Sequence, residues 1–382
     1  MLHFTLPFRY TSRMKRVLVL YGGKSGEHEV SLRSAASIVR NLTGRYEVSL
    51  VGITKTGVWY LQPENYAAHV ALQEIETLEI KEDPLNKVAV FPGEGLVCKG
   101  VPLKTDIVFP ALHGTFGEDG TLQGLLETIE IAYVGAGVLG SALGMDKEKS
   151  KQLWEQEKLP IVPYHSLSKQ GWKDQLSQVL PRVKALGYPL FVKPACIGSS
   201  VAISKVKDPA GLPGALERAF AFDTKVLIEK GIDAREIECS VLGNHDPIAC
   251  TPGEVIPSHE FYDYEAKYLD PQGAELRIPA AVSESLLNRI RELAVLAYKA
   301  ISGEGMARVD FFLDKTSGDL YLNEINTIPG FTSISMFPRM CAYDKISFPA
   351  LLDRLIELGL ERYEERTALC YDYQKDTPVT YQ

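Results

Sequence analysis

The chain has 382 residues, which is too long for a single hydrophobic core and suits two or three domains. Its 41 basic and 49 acidic residues give a formal net charge of −8, so we expect no nucleic acid partner, because binding a phosphate backbone requires a basic surface. No apolar run reaches the ~18 residues of a membrane span, and the six cysteines form no Cys-x-x-Cys pair, so we expect a cytoplasmic protein with reduced thiols.

Alternating strand and helix patterns occupy the first part of the chain. The run KRVLVLYGG (15–23) is almost continuously apolar and predicts a buried strand, and VSLRSAASIVRNL (30–42) has helical spacing. Further strands are predicted at 46–54, 106–112 and 131–135. Strands that alternate with helices imply a parallel sheet with covered faces, so we assign residues 14–138 to an N-terminal α/β domain. The proline-containing stretch 61–105 is predicted to be a surface excursion.

Two further domains are predicted after residue 138. A helix near 145–158 and strands on either side of a Gly-Ser loop indicate a central domain over 139–231, and more strands indicate a C-terminal domain over 232–365. Strands of these two domains are predicted at 188–194, 201–206, 225–231, 235–243, 252–257, 307–314 and 319–326, with closing helices at 284–301 and 348–360. The ends of the chain, 1–13 and 366–382, are expected to be loose.

The segment YLNEINTIPG (321–330) places a carboxylate and an amide in an otherwise apolar strand. Side chains at i and i+2 of a strand share a face, so Glu324 and Asn326 point the same way, as do Arg308 and Asp310 in the strand before. A hairpin register that pairs residue 310 with 324 would bring all four together. Their oxygens suit Mg²⁺, which binds through one or two carboxylates plus substrate phosphates. The alternative is a solvated outer face of an edge hairpin.

A candidate phosphate loop lies at FVKPACIGSS (191–200). Lys193 stands at a strand end, and the backbone N–H groups of the Gly-Ser-Ser turn at 198–200 can cradle phosphate. A plain hairpin turn explains the same residues, so both interpretations stay open.

The segment GGKSGE (22–27) copies the end of a P-loop motif. The first glycine of that motif falls on Leu18, so we do not assign a P-loop. Glu27 lies between a strand and a helix, at the carboxyl edge of a parallel sheet, where ligands bind. A helix-capping role for this carboxylate is the alternative.

Eight segments resemble the D-alanine–D-alanine ligases of the ATP-grasp superfamily. They are GGKSGEHEVSLRSA, ALHGTFGEDGTLQG, YVGAGVLGSALGMDK, VKPACIGSSVAISKV, LIEKGIDAREIECSVLG, EFYDYEAKY, ARVDFFL and LNEINTIPGFTSISMFP. They run in order over most of the chain. The resemblance implies an α/β and α+β fold, namely a three-domain ATP-grasp ligase with an N-terminal parallel α/β domain.

The resemblance also implies a reaction. ATP would phosphorylate the carboxylate of one D-alanine, and the amine of a second would attack the acyl phosphate. The products would be D-alanyl-D-alanine, ADP and phosphate, for peptidoglycan precursor synthesis in the cytoplasm. A homodimer is expected from the resemblance alone.

Three sets of site residues follow from the same resemblance. Two Mg²⁺ (or Mn²⁺) ions would be held by Asp310, Glu324 and Asn326. The nucleotide would be held by Lys147, Lys193, Ser199, Ser200, Glu229, Lys230, Ile232, Glu236 and Lys267. Substrate binding and catalysis would involve Glu27, His113, Ser199, Tyr268, Arg308 and Ser335.

Individual roles are implied as well. The three lysines at 147, 193 and 267 would meet phosphates. Glu229, Lys230 and Ile232 would line the adenine pocket, and Glu236 would bind the ribose. Glu27 would pair with the first ammonium, Ser335 with the second carboxylate, and Arg308 with the developing oxyanion. For His113, a structural hydrogen bond and direct proton transfer both stay open.

The segment YDYEAKY (262–268) resembles the loop that closes on the substrates in amide-forming members. Closure would exclude water from the acyl phosphate. Relatives that form the D-alanyl–D-lactate ester lack the Lys-Tyr pair at 267–268, so its presence favours the dipeptide. Cys196 lies in the phosphate loop, where we expect other, non-thiol residues in relatives. If this thiol is exposed, we expect its alkylation to slow the enzyme.

Three alternative functions stay open. One is the ester-forming ligase, and another is an ATP-grasp ligase that joins a different carboxylate and amine. The segments GEHEVS (26–31) and YEAKY (264–268) argue against the latter, since they serve the amino-acid ends. The third is a nucleotide-binding regulator without catalysis, which would not need Arg308 and the metal ligands intact.

Overall fold

The computed structural model describes residues 13–199, 201–257 and 274–371 of the chain. Its strands, numbered in chain order, are β1 (Arg16–Gly22), β2 (Glu47–Ile53), β3 (Trp59–Leu61), β4 (Val88–Phe91), β5 (Gly95–Cys98), β6 (Val101–Pro102), β7 (Ile107–Ala111), β8 (Tyr164–Ser168), β9 (Leu190–Pro194), β10 (Ser204–Val206), β11 (Lys225–Lys230), β12 (Ala234–Leu242), β13 (Ile248–Ala249), β14 (Gly253–Pro257), β15 (Ala274–Arg277), β16 (Met306–Asp314) and β17 (Leu320–Asn326). Its α-helices are α1 (His28–Leu42), α2 (Tyr66–Leu72), α3 (Thr121–Thr128), α4 (Val138–Met145), α5 (Lys147–Gln156), α6 (Trp172–Ala185), α7 (Leu212–Phe220), α8 (Glu284–Ala300), α9 (Met336–Tyr343) and α10 (Phe348–Thr367).

The N-terminal sheet has the strand order β3-β2-β1-β7. β1 pairs in parallel with β2 and β7, whereas β3 is antiparallel to β2 at one edge. Residues 17–21 of β1 are fully buried, which is why this central strand is an unbroken apolar run. α1 packs against β1 and β7, and α10 packs against β7. The predicted parallel α/β architecture is confirmed.

The strand predicted at 131–135 is wrong. This segment makes a single parallel bridge, between Val108 and Tyr133, with two backbone hydrogen bonds of 2.8 and 2.9 Å at Val108. The chain then turns at Gly135, whose φ of +100° suits glycine, so the ladder extends no further.

The stretch 61–105 is more than a surface excursion. It forms α2 and the small antiparallel sheet β4-β5-β6. Leu78 and Leu96 within it are each 1% exposed and belong to the hydrophobic cores beside the N-terminal sheet. The prediction was wrong in this respect, because isolated leucines among prolines and charges gave no periodic signal.

Two antiparallel sheets follow. One has the order β10-β9-β11-β8 and is covered by α6 and α7. The other has the order β15-β14-β12-β16-β17, with β13 beside β12. α8 packs on β12 and β16, with its apolar stripe fully or nearly buried, and α9 packs on β12. No helix in the described ranges combines the length and apolar character that crossing a bilayer requires.

A continuous core joins the region after β17 to the N-terminal sheet. The Phe331 ring meets Phe109 of β7 edge-on, with ring centroids 5.9 Å apart, and also contacts Phe337 of α9. The backbone N–H of Phe331 donates to the hydroxyl of Ser34 on α1 (3.3 Å). This packing fixes the loop after β17 beside the beginning of α1.

Candidate active site

One cleft of about 1110 Å³ gathers the predicted site residues that the structure describes. Those that line it are Glu27, His113, Lys147, Lys193, Ser199, Glu229, Lys230, Ile232, Glu236, Arg308, Asp310, Glu324, Asn326 and Ser335. Ser200, Lys267 and Tyr268 lie outside the described residues, so their roles stay predictions. The cleft is walled by the two antiparallel sheets and by the carboxyl edge of the N-terminal sheet.

The hairpin register that the sequence left open brings the four polar residues together. Asp310 lies opposite Glu324, and Arg308 opposite Asn326. Opposite residues of an antiparallel pair share a face, and this face lines the cleft. The alternative of a solvated outer face is therefore wrong.

The guanidinium of Arg308 forms a bidentate ion pair with the carboxylate of Asp310. Its Nε lies 2.7 Å from Oδ1 and its Nη2 lies 2.6 Å from Oδ2, the bidentate geometry of a strong charge-assisted pair. The amide of Asn326 donates to the same carboxylate at 3.0 Å. Asp310 is thus held in one orientation, facing the cleft.

Two polar residues of this face were missed in the sequence. Glu238 of β12 lies opposite Asp310, and its Oε2 is 3.1 Å from Nε of Arg308. The alternation in REIECSV could have revealed it. Asn323 lies at a bulge next to Asp310, which re-aims the side chain so that its Oδ1 accepts from Lys193 at 3.3 Å. No sequence signal marks a bulge here.

Two lysines enter the cleft from other elements. Lys147, at the first turn of α5, donates to the carbonyl oxygen of Ile197 (2.9 Å), and its Nζ lies 3.7 Å from Oε2 of Glu324. Lys193, on β9, lies 2.6 Å from Oε2 of Glu229. Both ammonium groups are nearly buried and lie beside acids, so they can neutralise an anion in the cleft.

The oxygen face fits magnesium. In the described ranges, no group of three or more His, Cys, Asp or Glu side chains forms a complete metal site. Mg²⁺ does not need one, because it takes one or two carboxylates and completes its shell with water and substrate phosphates. Asp310, Glu324 and Asn326 offer that donor set, with two cations, Lys147 and Arg308, beside them.

Glu27 is buried and also lines the cleft. It occupies the N-cap position of α1, but its side chain makes no capping hydrogen bond, so a hydrogen-bonded cap does not explain this residue. Its carboxylate accepts a hydrogen bond from the hydroxyl of Ser199. A Cβ at Gly114 or Gly198 would lie 2.6 or 2.9 Å from Oε2 of Glu27, so glycine at both positions makes room for the carboxylate.

His113 lies near this carboxylate, and both of its ring nitrogens form hydrogen bonds. Its Nδ1 is 2.9 Å from the carbonyl oxygen of Ile328, which can only accept, so Nδ1 carries the hydrogen. Its Nε2 then accepts from the hydroxyl of Ser34 at 3.0 Å. Burial lowers the pKa of His113, which keeps the ring neutral. This geometry favours a structural role over proton transfer.

Glu118 was not predicted and lies in the same buried corner. It accepts from the backbone N–H groups of Gly114 (2.9 Å) and Ile328 (3.2 Å). Burial, followed by the nearby charge of Glu27, raises the pKa of Glu118 to about 8. The motif GEDG contained this acid, but its burial depends on chain segments more than 200 residues apart.

Ser335 lies at the start of α9. Its side chain makes no capping bond to that helix, and its hydroxyl oxygen accepts from Thr332 N at 3.0 Å. The hydroxyl also meets Thr332 Oγ1 at 2.8 Å. Ser335 therefore presents a hydroxyl and a helix N-terminus to the cleft, a suitable place for a carboxylate.

The fold and the cleft define an ATP-grasp enzyme, with Lys193 on one antiparallel sheet facing an acidic oxygen face on the other. Family models described as D-ala D-ala ligase N-terminus and C-terminus match residues 16–136 and 153–357. The chain belongs to the D-alanine–D-alanine ligase family, and the resemblance seen in the sequence is confirmed.

Individual relatives agree with this assignment. The D-alanine–D-alanine ligase of Treponema denticola is 48% identical over 91% of this chain and 96% of the relative. A solved D-alanine–D-alanine ligase from Coxiella burnetii superposes with a TM-score of 0.78 at 37% identity, covering 93% of this chain and 96% of that one. The VanG D-Ala:D-Ser ligase from Enterococcus faecalis has a TM-score of 0.78 at 36% identity, covering 91% and 100%.

Proposed function

We propose that the chain joins two D-alanine molecules into D-alanyl-D-alanine with ATP, releasing ADP and phosphate. The observation that carries the proposal is one cleft lined by an acidic oxygen face, by buried lysines and by the buried Glu27 carboxylate. Such a cleft can hold a polyphosphate and an amino-acid ammonium side by side. Activating a carboxylate brings anions together, so the site has to neutralise charge.

The nucleotide end would hold ATP and Mg²⁺. Asp310, Glu324 and Asn326 would hold two Mg²⁺ ions, which when bound supply positive charge against the phosphates. Lys147 and Lys193 would add their own charges from the other side of the cleft. Glu229, Lys230 and Ile232, which also line the cleft, would bind the adenine, and Glu236 would bind the ribose.

The amino-acid end would hold the two substrates. Glu27 would bind the ammonium of the first D-alanine, while Ser335 would bind the carboxylate of the second. Arg308 lines the same cleft and would stabilise the negative charge that develops on the carbonyl oxygen as the amine attacks. Ser199, which bonds Glu27, would tie the phosphate loop to the first substrate.

Further proposals concern the domain boundaries, the oligomeric state and the cellular location. We propose a division into three domains at 14–138, 139–231 and 232–365, supported by the three larger sheets. We also propose a cytoplasmic homodimer that supplies a peptidoglycan precursor. Sedimentation at micromolar concentration tests the dimer, and a monomer mass would reject it.

A product assay tests the function. The protein is incubated with ATP, Mg²⁺ and D-alanine, and ADP and D-alanyl-D-alanine are both measured. D-alanine-dependent ADP with a stoichiometric dipeptide is the expected result. An absence of D-alanine-dependent ADP would reject the enzyme, and ADP without dipeptide would reject the proposed product.

Competition assays decide the second substrate. D-lactate tests the ester-forming alternative, and D-serine is included because one solved relative is a D-Ala:D-Ser ligase. With equal concentrations of D-alanine, D-lactate and D-serine, we expect D-alanyl-D-alanine as the main product. A majority of ester or of D-alanyl-D-serine would correct the assignment.

A further inference from the structure

A fully buried lysine lies behind the nucleotide end of the cleft. Lys151 on α5 is 0% exposed, and it is absent from the residues that line the cleft. Its Nζ lies 3.1 Å from Oε1 of Glu229 and 5.6 Å from the centre of the Tyr164 ring. Burying an ammonium group is costly unless it is paired, so this lysine has to be explained by its partner.

Glu229 lies between two lysines. Its Oε1 faces Lys151, while its Oε2 lies 2.6 Å from Nζ of Lys193. Burial alone would raise the pKa of Glu229, but the two ammonium groups hold it below its ordinary value. The carboxylate is therefore ionised, although it is nearly inaccessible to water.

The two lysines differ in what they can do. Lys193 lines the cleft and also bonds Oδ1 of Asn323 at 3.3 Å, so its ammonium is within reach of an anion there. A polyphosphate would compete with Glu229 for Lys193. Lys151 is buried behind the cleft, so its ammonium group cannot reach an anion that binds there. Burial lowers the pKa of Lys151, while the charge of Glu229 opposes that shift. When Lys193 turns to phosphate, Lys151 is the cation that remains next to Glu229.

We propose that Lys151 is a positioning residue that keeps the Glu229 carboxylate ionised and fixed, so that this end of the cleft selects a purine with an exocyclic amine. An ionised carboxylate can only accept hydrogen bonds, whereas a protonated one can also donate. Adenine presents an amine donor, and hypoxanthine presents an oxo acceptor at the same place. The ionised form therefore favours ATP and rejects ITP, because an unpaired buried carboxylate is penalised. This inference rests on the proposed function, in which this end binds the nucleotide base.

The test compares Lys151→Met with Lys149→Met, a matched variant of an exposed lysine on the same helix. Phosphate release with D-alanine gives kcat and KM for ATP and for ITP. We expect wild type and Lys149→Met to prefer ATP by more than about tenfold, and Lys151→Met to lose about tenfold of that preference. The loss should fall on KM rather than kcat, because the groups at 308–326 are untouched.

A second variant and a second measurement guard against misfolding. Lys151→Gln keeps a donor to Glu229 without a charge and should also lose preference for ATP. Thermal unfolding with ATP or with ITP reports selectivity without turnover. Unchanged ATP-to-ITP ratios in both measurements, for whichever variant folds, would overturn the inference even if the unfolding temperature falls.

Different results would reject the proposed ligase activity and the proposed role of Lys151. If wild type releases no phosphate with D-alanine, the proposed function fails, and the nucleotide-dependent unfolding shifts still decide the role of Lys151. If wild type is active and the variants keep its selectivity, only the inference fails.

Discussion

The two ends of the cleft differ in the groups that partner their buried acids. At the nucleotide end, Asp310 and Glu229 have basic partners: Asp310 forms a bidentate ion pair with Arg308, and Glu229 lies between two lysines. At the amino-acid end, Glu27 accepts from a serine hydroxyl and Glu118 from backbone N–H groups. The structure shows no Lys or Arg ion pair to either acid among the residues it describes.

This difference sorts ligands by charge. Acids that are already paired can exchange a basic partner for a metal ion while that base turns to a phosphate, so the net charge of the site changes little. Buried acids held by dipoles instead attract a cation. The first arrangement suits a nucleotide with its metal, and the second suits an ammonium group.

The largest expected effect is at the metal face. Glu324→Gln should lower kcat about 10³-fold while nucleotide affinity changes less than about tenfold, because the lost charge acts chiefly on the transition state. Turnover and calorimetric binding of a non-hydrolysable ATP analogue measure the two quantities. Asp319→Asn, at an exposed position of the same hairpin, is the control. A Glu324 variant that retains most of its kcat contradicts the metal assignment.

The next effect is at the ammonium end. Glu27→Gln should raise KM for D-alanine about 10- to 100-fold, because a hydrogen bond to a charged group is worth about 1.5–3 kcal/mol. Steady-state kinetics against D-alanine measure it. Glu29→Gln, an exposed neighbour paired with Lys55, should behave as wild type. An unchanged KM for D-alanine in the Glu27 variant would show that the D-alanine ammonium does not bind to Glu27.

A smaller effect is expected at Glu238. Glu238→Gln removes an acid that pairs with Arg308 and should lower kcat about tenfold, because the guanidinium loses part of its orientation. Glu275→Gln, in an exposed surface pair, is the control. If both variants match wild type, Glu238 has no part in placing Arg308.

The pKa of Glu118 predicts proton release on substrate binding. With a pKa of about 8, Glu118 is largely protonated at pH 7, and an incoming ammonium stabilises its ionised form and lowers that pKa. Binding of D-alanine should therefore release a fraction of a proton between about pH 6 and 8, and none above pH 9. Calorimetry in buffers of different ionisation enthalpy measures the release. A binding enthalpy independent of buffer contradicts the prediction, and Glu118→Gln should show that independence.

The smallest effect concerns Cys196. Burial, aided by nearby Asp146 and Asp223, raises the pKa of the Cys196 thiol to about 12, so little thiolate exists at neutral pH. Iodoacetamide should label the exposed Cys370 first and leave the rate unchanged. Fast labelling at Cys196, with parallel loss of activity, would reverse this expectation.

Local patterns in the sequence predicted which face of a strand carries a side chain, but not which residues that side chain contacts. Alternation placed Glu324 and Asn326 on one face, yet several registers satisfy a period of two, and the bulge at Asn323 leaves no mark. Lys151 lies in the charged run KEKSK, which is typical of an exposed helix face. Its partner Glu229 is 78 positions away in the chain, and only tertiary packing brings the two together. Buried ion pairs of this kind are set by the fold as a whole.

A crystal structure with a non-hydrolysable ATP analogue, Mg²⁺ and D-alanine tests the division of the cleft most directly. We expect the D-alanine ammonium within about 3 Å of a Glu27 oxygen and the phosphates beside Asp310 and Glu324. An amino acid bound at the β16–β17 face with no contact to Glu27, or phosphates seated at the Glu27 end, would contradict it.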